Sequence, residues 1–309
     1  MTSTRIAYLG PTGTFTEQAV RQWAPELVTS AWAAPSVPAA IQALRDREAD
    51  AAVVPFENSV EGSVPATLQA LLEGDRDDGV RITGEVHVQV QFSLLVRPGT
   101  TLEDVRTVAS HPHAFAQTRE WLATHLPDAQ QVPESSTARA AQAVAEGGYD
   151  AAVAAPGAGT AYQLQTAAER IADREGAVTR FVVLTRGTPV PPPTGSDRTT
   201  LVALIWQNRP GALLELLEHF ATRGIDLSRL ESRPTGEGLG EYCFWIDADA
   251  HLAEHRMREA LTGLRRTCRD VRFLGSYARA DRRPVPAPPH ADDRAYAEAQ
   301  EWVEGLGRS

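Results

Sequence analysis

An α/β protein in two unequal parts is predicted, on three observations. Short β-rich runs alternate with helix-spaced segments through the first 185 or so residues. A proline-dense stretch, Pro189-Val-Pro-Pro-Pro-Thr-Gly-Ser-Asp197, then interrupts the chain; prolines this dense continue neither a helix nor a central strand and favour an extended spacer. Beyond it the elements run in the order βαββαβ, the ferredoxin-like arrangement. A length of 309 residues suits two or three domains.

Before the spacer, Arg5–Leu9, Ala51–Val54, Thr107–Ala109, Ala151–Ala154 and Arg180–Thr185 read as strands with apolar side chains on both faces. Helical spacing marks Thr14–Trp23, Val37–Arg47, Pro65–Leu72, Ala114–His125, Thr137–Glu146 and Ala158–Gln165. The alternation implies a largely parallel sheet. In Arg81–Arg97 every second residue is apolar (Val86, Val88, Val90, Phe92, Leu94, Val96), which predicts one long strand with a single buried face, of a length that often crosses between lobes. After the spacer, strands are expected at Thr200–Trp206, Asp226–Pro234, Tyr242–Ala248 and Val271–Tyr277, and helices at Gly211–Arg223 and His251–Arg265. A second proline-rich break, Arg283–His290, precedes a tail with one predicted helix, Ala291–Leu306.

Composition narrows the function classes. Thirty Lys+Arg against forty Asp+Glu gives a net charge of −10, and every one of those cations is arginine. An acidic chain lacks the basic field of a general nucleic-acid binder. Two cysteines, Cys243 and Cys268, without a CxxC pair, argue against a disulfide framework and a thiolate zinc site. No signal-peptide core follows Met1, and no run of about 18 apolar residues occurs, so a cytoplasmic protein without a membrane partner is expected.

Chemistry concentrates at polar helix starts. In Gly10-Pro-Thr-Gly-Thr-Phe-Thr16 the glycines allow a sharp turn, and Thr14 with Glu17 has capping-box spacing; a helix start beside a strand's carboxyl end is a natural anion site, although Thr14 as a plain cap explains the same residues. Glu57, Asn58 and Ser59 follow a buried strand, where adjacent polar groups are costly unless they meet a ligand or one another. Alternatively Asn58 and Ser59 satisfy a turn and Ser63 caps the next helix. Ser110-His-Pro112 opens a further helix, with Gln117 one face-repeat after His113; His111 and His113 at i, i+2 share no helix face, so a metal site is not expected. Glu134-Ser-Ser-Thr137 stacks hydroxyls at another start, and Thr179-Arg-Phe181 opens a strand with Thr179 and Arg180 on opposite faces. Together these suggest a pocket for a small, multiply anionic molecule.

These runs, namely Gly10–Thr16, Pro55-Phe-Glu-Asn-Ser59 with Gly62, Ser110–Pro112 with Gln117, and Thr179–Phe181, occur in the order seen in prephenate dehydratases. Arg209-Pro-Gly-Ala-Leu213 and Glu231-Ser-Arg-Pro234 look like the ACT domain of monofunctional members, and no chorismate mutase segment is implied. The resemblance covers roughly residues 5–280 and implies a two-lobed catalytic region similar to type II periplasmic ligand-binding proteins over 1–188. One lobe would hold 1–81 plus 180–188 and the other 82–179. A linker at 189–197, an ACT domain at 198–280 and a tail at 281–309 would follow. The implied reaction removes CO₂ and the ring hydroxyl from prephenate to give phenylpyruvate, with aromatisation as the driving force and no cofactor or metal.

The resemblance places Thr179 at the departing hydroxyl as a hydrogen-bond donor, with Glu57, Asn58, Ser110, Gln117 and Glu134 as the other catalytic positions. Gly10, Thr12, Thr14, Thr16, Ser59, Gly62, Arg180 and Phe181 are the expected substrate-binding set. Arg180 either anchors a carboxylate or braces the cleft. Phenylalanine is the implied inhibitor, at Asn208, Gly211, Ala212, Leu213, Glu231, Ser232 and Arg233, in a homodimer or homotetramer paired through edge strands of the ACT domain. His113, Phe56 and Ala155-Pro156 depart from the more usual family residues. Arogenate dehydration, a non-aromatising prephenate decarboxylation, and a non-catalytic amino-acid-responsive binding protein are the competing readings.

Overall fold

The computed structural model describes residues 4–74, 78–236 and 241–306. Met1–Ser3, where the targeting reading began, and the end of the predicted tail lie outside them. The chain forms two compact units, Met1–Asp75 with Val86–Leu184, and Arg76–Glu85 with Thr185–Ser309.

The first unit contains two sheets. β1 (Ile6–Leu9), α1 (Phe15–Trp23), β2 (Ala31–Ala34), α2 (Val37–Arg45), β3 (Ala51–Asn58), the two-residue β4 (Gly62–Ser63), α3 (Pro65–Leu72) and β5 (Val80–Gln89) come first. Then follow β6 (Ser93–Val96), β7 (Thr107–Ser110), α4 (Pro112–Gln117), α5 (Arg119–His125), β8 (Gln130–Pro133), α6 (Thr137–Ala145), β9 (Ala151–Ala154), α7 (Pro156–Tyr162), β10 (Gln165–Ala168) and β11 (Val178–Arg186). One sheet has the order β2-β1-β3-β11-β5 with β4 paired to β3; the other runs β10-β6-β9-β7-β8. Two α/β layers of this kind are the periplasmic-binding-protein-like arrangement that the resemblance implied.

Where the alternation implied a largely parallel sheet, both sheets are mixed. β1 is parallel to β2 and β3, and β7 to β8 and β9, but β6 runs antiparallel to β9 and β10 to β6. Only three residues separate β5 from β6, so no crossover helix intervenes there. The long strand expected over Arg81–Arg97 is accordingly broken. Val90 N–H donates to Ala177 O at 2.7 Å and Phe92 O accepts from Ile171 N at 3.0 Å, which turns the chain from one sheet into the other. Val86, Val88, Val90, Phe92, Leu94 and Val96 are nonetheless all buried, as their alternation predicted. Ile6, Tyr8, Val53, Val88, Phe181 and Val183 share one core; Phe92, Leu94, Val96, Val108, Phe115 and Val153 share another.

The helix expected at Ala114–His125 is also split. Thr118 leaves helical geometry (φ −128°, ψ 16°) and its hydroxyl bonds back to Ala114 O at 2.9 Å. Asp173, from far along the chain, accepts the Glu120 and Trp121 N–H groups at 3.1 Å each and so caps α5 from outside. The strand predicted to stop at Val54 continues to Asn58, and Pro55 lies past the last β1 pairing at Val53, where its missing N–H breaks no bond to that strand.

In the second unit, β12 (Asp197–Leu204), α8 (Ala212–Ala221), β13 (Leu227–Pro234), β14 (Tyr242–Ala248), α9 (His255–Thr267) and β15 (Asp270–Ala278) give the predicted βαββαβ order, and α10 (Asp293–Leu306) forms the tail. β12 begins inside the expected spacer, because the Asp197 carboxylate accepts Thr194 N at 2.7 Å and Gly195 N at 2.9 Å and starts the strand there. The sheet order β13-β14-β12-β15 leaves β13 and β15 at its edges, the two strands expected there. The first half of β5 belongs to this unit. Glu85, with its side chain fully buried, bonds Arg198 Nη1 at 2.9 Å and Ala280 N at 2.9 Å. Arg198 Nε also lies 3.5 Å from Asp249, whose other oxygen pairs with Arg279. A side chain at Gly275 (φ +148°) would stand 2.1 Å from Ile82 O, so only glycine lets β15 pass this close.

Candidate active site

The strand β3 ends on Glu57 and Asn58 beside the start of β11, which carries Thr179 and Arg180. Asn58 Nδ2 donates to Thr179 Oγ1 at 2.9 Å. The orientation of that amide is set by two backbone donors on its oxygen, Val60 N at 2.8 Å and Glu61 N at 3.2 Å. Oγ1 accepts from Asn58, so the Thr179 hydroxyl keeps its own hydrogen to donate. Ser59 staples the same turn to β11: its N–H donates to Val178 O at 2.9 Å and its Oγ accepts from Val178 N at 3.0 Å. Gly62, at φ +82°, closes the turn.

Arg180 sits on the other side of β11, as alternation predicted. The residue is 5% exposed, and its guanidinium lies 3.5 Å from Glu57 Oε2 and over Phe56 with 4.9 Å to the ring centroid. Phe181 lies in the hydrophobic core with Tyr8 and Val53, away from these polar groups.

At the start of α1, Thr14 Oγ1 accepts Glu17 N at 3.3 Å, so Thr14 does cap the helix. Glu17 Oε2 accepts Gly13 N at 2.6 Å while its other oxygen pairs with Arg21 Nη2 at 2.6 Å. A carboxylate of the chain itself therefore occupies part of the predicted anion site. Gly10 and Thr16 are packed inside: a side chain on Gly10 would stand 2.6 Å from Ala33 Cβ, and Thr16 is buried. Beside this turn opens a cavity of about 570 Å³, lined by Thr12, Thr14, Gln18, Gln89, Gln91 and Thr160 among others. Tyr162, at the end of α7, donates to Thr12 O at 2.9 Å. Burial raises the phenol pKa values of both Tyr8 and Tyr162.

The remaining candidates separate. Ser110 is fully buried and donates to Val153 O at 2.6 Å, while its carbonyl accepts Glu134 N at 2.8 Å. Glu134 Oε1 accepts from Tyr149 at 3.0 Å, a bond to a carboxylate that raises the tyrosine pKa. Gln117, at the end of α4, donates from Nε2 to Glu61 Oε1 at 3.1 Å, and His113 Nδ1 pairs with Glu61 Oε2. His111, held below the ordinary imidazole range by burial and next by His113, caps α4 by accepting His113 N at 3.3 Å. Glu61 and Tyr149 escaped the sequence reading. A carboxylate one residue before Gly62 offered a signal, whereas the Tyr149 contact depends on a partner 15 residues away.

Residues 6–189 match the family model for prephenate dehydratase, which is more than half of the 309-residue chain. A prephenate dehydratase of Amycolatopsis methanolica is 50% identical over 308 residues, spanning 98% of this chain and 98% of its own length. The chain belongs to the prephenate dehydratase family. Among solved structures, prephenate dehydratase from Arthrobacter aurescens in complex with L-Phe is 44% identical with a TM-score of 0.93, covering 99% of this chain and 100% of that one. GqqA, described as a novel type of quorum quenching acylase, is 32% identical with a TM-score of 0.79, covering 92% and 98%. A shared fold thus accompanies other chemistry, and residue roles have to be argued from the site.

In the second unit of this prephenate dehydratase family member, the residues expected at an effector divide between two places. Asn208 lines a cavity of about 430 Å³ with Trp206 and Tyr242, and Ala212 lines one of about 120 Å³ with Cys268. Gly211 (φ +86°) is the N-cap of α8 and supplies no side-chain cap; Leu213, two residues on, is exposed. Glu231, Ser232 and Arg233 lie on the edge strand β13 and line neither cavity, with Glu231 paired to Arg229 and 3.8 Å from Arg233. Among the described residues no helix is long and apolar enough to cross a membrane.

Proposed function

We propose that this chain converts prephenate to phenylpyruvate, CO₂ and water, with Thr179 at the departing ring hydroxyl. The observation that carries the assignment is the 2.9 Å bond from Asn58 to Thr179, with the Asn58 oxygen pinned by two backbone N–H groups. In the reaction, the bond between ring and carboxylate breaks and releases CO₂, and its electron pair enters the ring. The ring C–O bond breaks with its pair on oxygen, which takes one proton and leaves as water. A threonine hydroxyl is too weak an acid to be ionised in advance, so Thr179 shares its hydrogen as that oxygen gains charge. The Asn58 N–H then stabilises the charge growing on Oγ1.

Arg180, buried against Phe56 and paired with Glu57, fits the bracing role better than that of a carboxylate anchor. Tight pairing to the carboxylate being lost would stabilise the ground state and slow the reaction. Thr12, Thr14 and the turn at Ser59 are the proposed contacts for the pyruvyl carboxylate. Ser110 and Glu134 are proposed to hold the β7–α4 turn that presents Gln117.

Phenylalanine is the proposed feedback inhibitor at the second unit, supported by the L-Phe bound to the Arthrobacter aurescens relative. The division into a catalytic region over 1–188, a spacer at 189–197, an ACT domain at 198–280 and a tail at 281–309 belongs to the same proposal, as do a homodimer or homotetramer and a cytoplasmic location. Phenylalanine at millimolar or lower concentration should slow turnover, and Arg233→Ala should raise the concentration needed roughly tenfold or more. Unchanged sensitivity in Arg233→Ala would remove that strand from the effector site. A point substitution is the better probe, because deletion after Pro193 would also remove Arg198 and Ala280, which hold Glu85.

Purified protein supplied with prephenate should produce the strong ultraviolet absorbance of phenylpyruvate in base. A product that is non-aromatic would defeat the assignment, and faster turnover of arogenate would move it to the amino analogue.

A further inference from the structure

Glu61 stands in the turn between β3 and β4, and both oxygens of its exposed carboxylate are committed. Oε1 accepts Gln117 Nε2 at 3.1 Å and Oε2 pairs with His113 Nδ1. Its backbone N–H meanwhile donates to Asn58 Oδ1 at 3.2 Å. A single residue therefore reaches Asn58 through its main chain and Gln117 through its side chain. Those partners come from different layers of the first unit: Asn58 ends a strand of one sheet, whereas His113 and Gln117 sit on α4, which follows β7 of the other.

We propose that Glu61 is a positioning residue for the dehydration, clamping α4 to the β3–β4 turn so that Asn58 and Gln117 keep one register about the reacting atoms. The proposal rests on the Asn58–Thr179 reading given above. Its physical basis is a contrast in sensitivity. Exposed ion pairs contribute little to folding stability, whereas moving reacting groups by about 1 Å can cost roughly 100-fold in rate. The clamp should therefore register in turnover and leave stability alone. The two-point attachment also explains why a charged side chain occupies the turn. A carboxylate offers one oxygen to an amide and the other to an imidazole, with no donor of its own to misdirect either.

The test uses the full chain, prephenate and the absorbance of phenylpyruvate. Glu61→Ala should lower kcat roughly 10- to 100-fold, with KM within about threefold and an unchanged denaturation midpoint. Glu61→Gln keeps an oxygen for the Gln117 amide and should recover most of the loss. In the Glu61→Ala background, Gln117→Ala should cost much less than it does alone, because both changes break one contact. A Glu61→Ala protein within about twofold of the parent in kcat overturns the proposal. So does a loss that follows a lowered denaturation midpoint and is not rescued by Glu61→Gln. No turnover by the parent chain would instead remove the functional reading, and the clamp with it.

Discussion

Around Thr179 the polar side chains are bonded in a short chain, from the buried Thr179 to the half-buried Asn58 to the β3–β4 turn. Around Arg198 they are mostly buried and committed on several sides, with Glu85, Asp249 and the partly exposed Arg279 forming a continuous ionic array. Both clusters hold polar groups where burial would be costly without partners. In the second unit the partners are all protein groups, so the array fixes the position of a chain segment and has little capacity left for a ligand. In the first unit the Thr179 hydroxyl accepts from Asn58 and keeps its own hydrogen. Charged groups paired mainly with one another make a structural network, whereas a hydroxyl that accepts one bond and keeps its own hydrogen is what the proposed reaction requires.

That contrast can be broken most severely at Glu85. Glu85→Ala leaves Arg198 buried with one partner fewer, and should destabilise the second unit by about 3–5 kcal/mol in urea denaturation. The double change Glu85→Leu with Arg198→Met should recover most of it, since an apolar pair of similar volume avoids the desolvation of both charges. A single-substitution loss under about 1 kcal/mol would mean that the array is not the anchor its burial implies. Thr179→Ala makes the opposite test. Here kcat should fall about 10²–10³-fold, equivalent to roughly 2.7–4 kcal/mol of barrier, while the denaturation midpoint stays put. Thr179→Ser, which retains the donor, should keep most of the activity. Equal rates for Thr179→Ala and the parent would leave the hydroxyl without a role.

The smallest expected effect is the dependence of stability on pH at the rim of the ionic array. The Arg279 guanidinium beside Asp281 holds its carboxyl down at about 2, from an ordinary 3.8. The folded value is depressed, so the stabilisation is complete above the ordinary value and is lost as pH falls from there through about 2. Solvent screens this partly exposed pair, and the contribution should be about 1 kcal/mol or less. Comparing the acid unfolding of the parent with that of Asp281→Asn, which leaves the Arg279–Asp249 pair in place, checks it; identical curves between the two would show that the pair contributes nothing.

Three strands missed in the sequence share one property. β2, β8 and β10 each lie at the edge of a sheet. Their sequences, Ala31-Trp-Ala-Ala34, Gln130-Gln-Val-Pro133 and Gln165-Thr-Ala-Ala168, hold few β-branched residues and no full alternation. An edge strand needs neither, because one side of it pairs with nothing and a face can stay wet. Central strands such as β3, β9 and β11 must be apolar on both faces, and they were readable. The break between α4 and α5 was hidden for another reason: the group that caps α5 is Asp173, some fifty residues later.

Local order alone determined which segments would be helix or buried strand, the βαββαβ succession, and the chemical types gathered at Glu57–Ser59 and Thr179–Arg180. Those features follow from periodicity, turn chemistry and the cost of burying polar groups, all of which act over a few residues. Tertiary structure decided which of them meet. It put the Asn58 amide on the Thr179 hydroxyl and spent the Ser110 hydroxyl on a backbone carbonyl. It buried Phe181 in a core, and it joined Glu61 to a helix from the neighbouring layer. Hydrogen bonds require atoms within about 3 Å in a set orientation, and that proximity is a property of the packed chain that no spacing along it encodes.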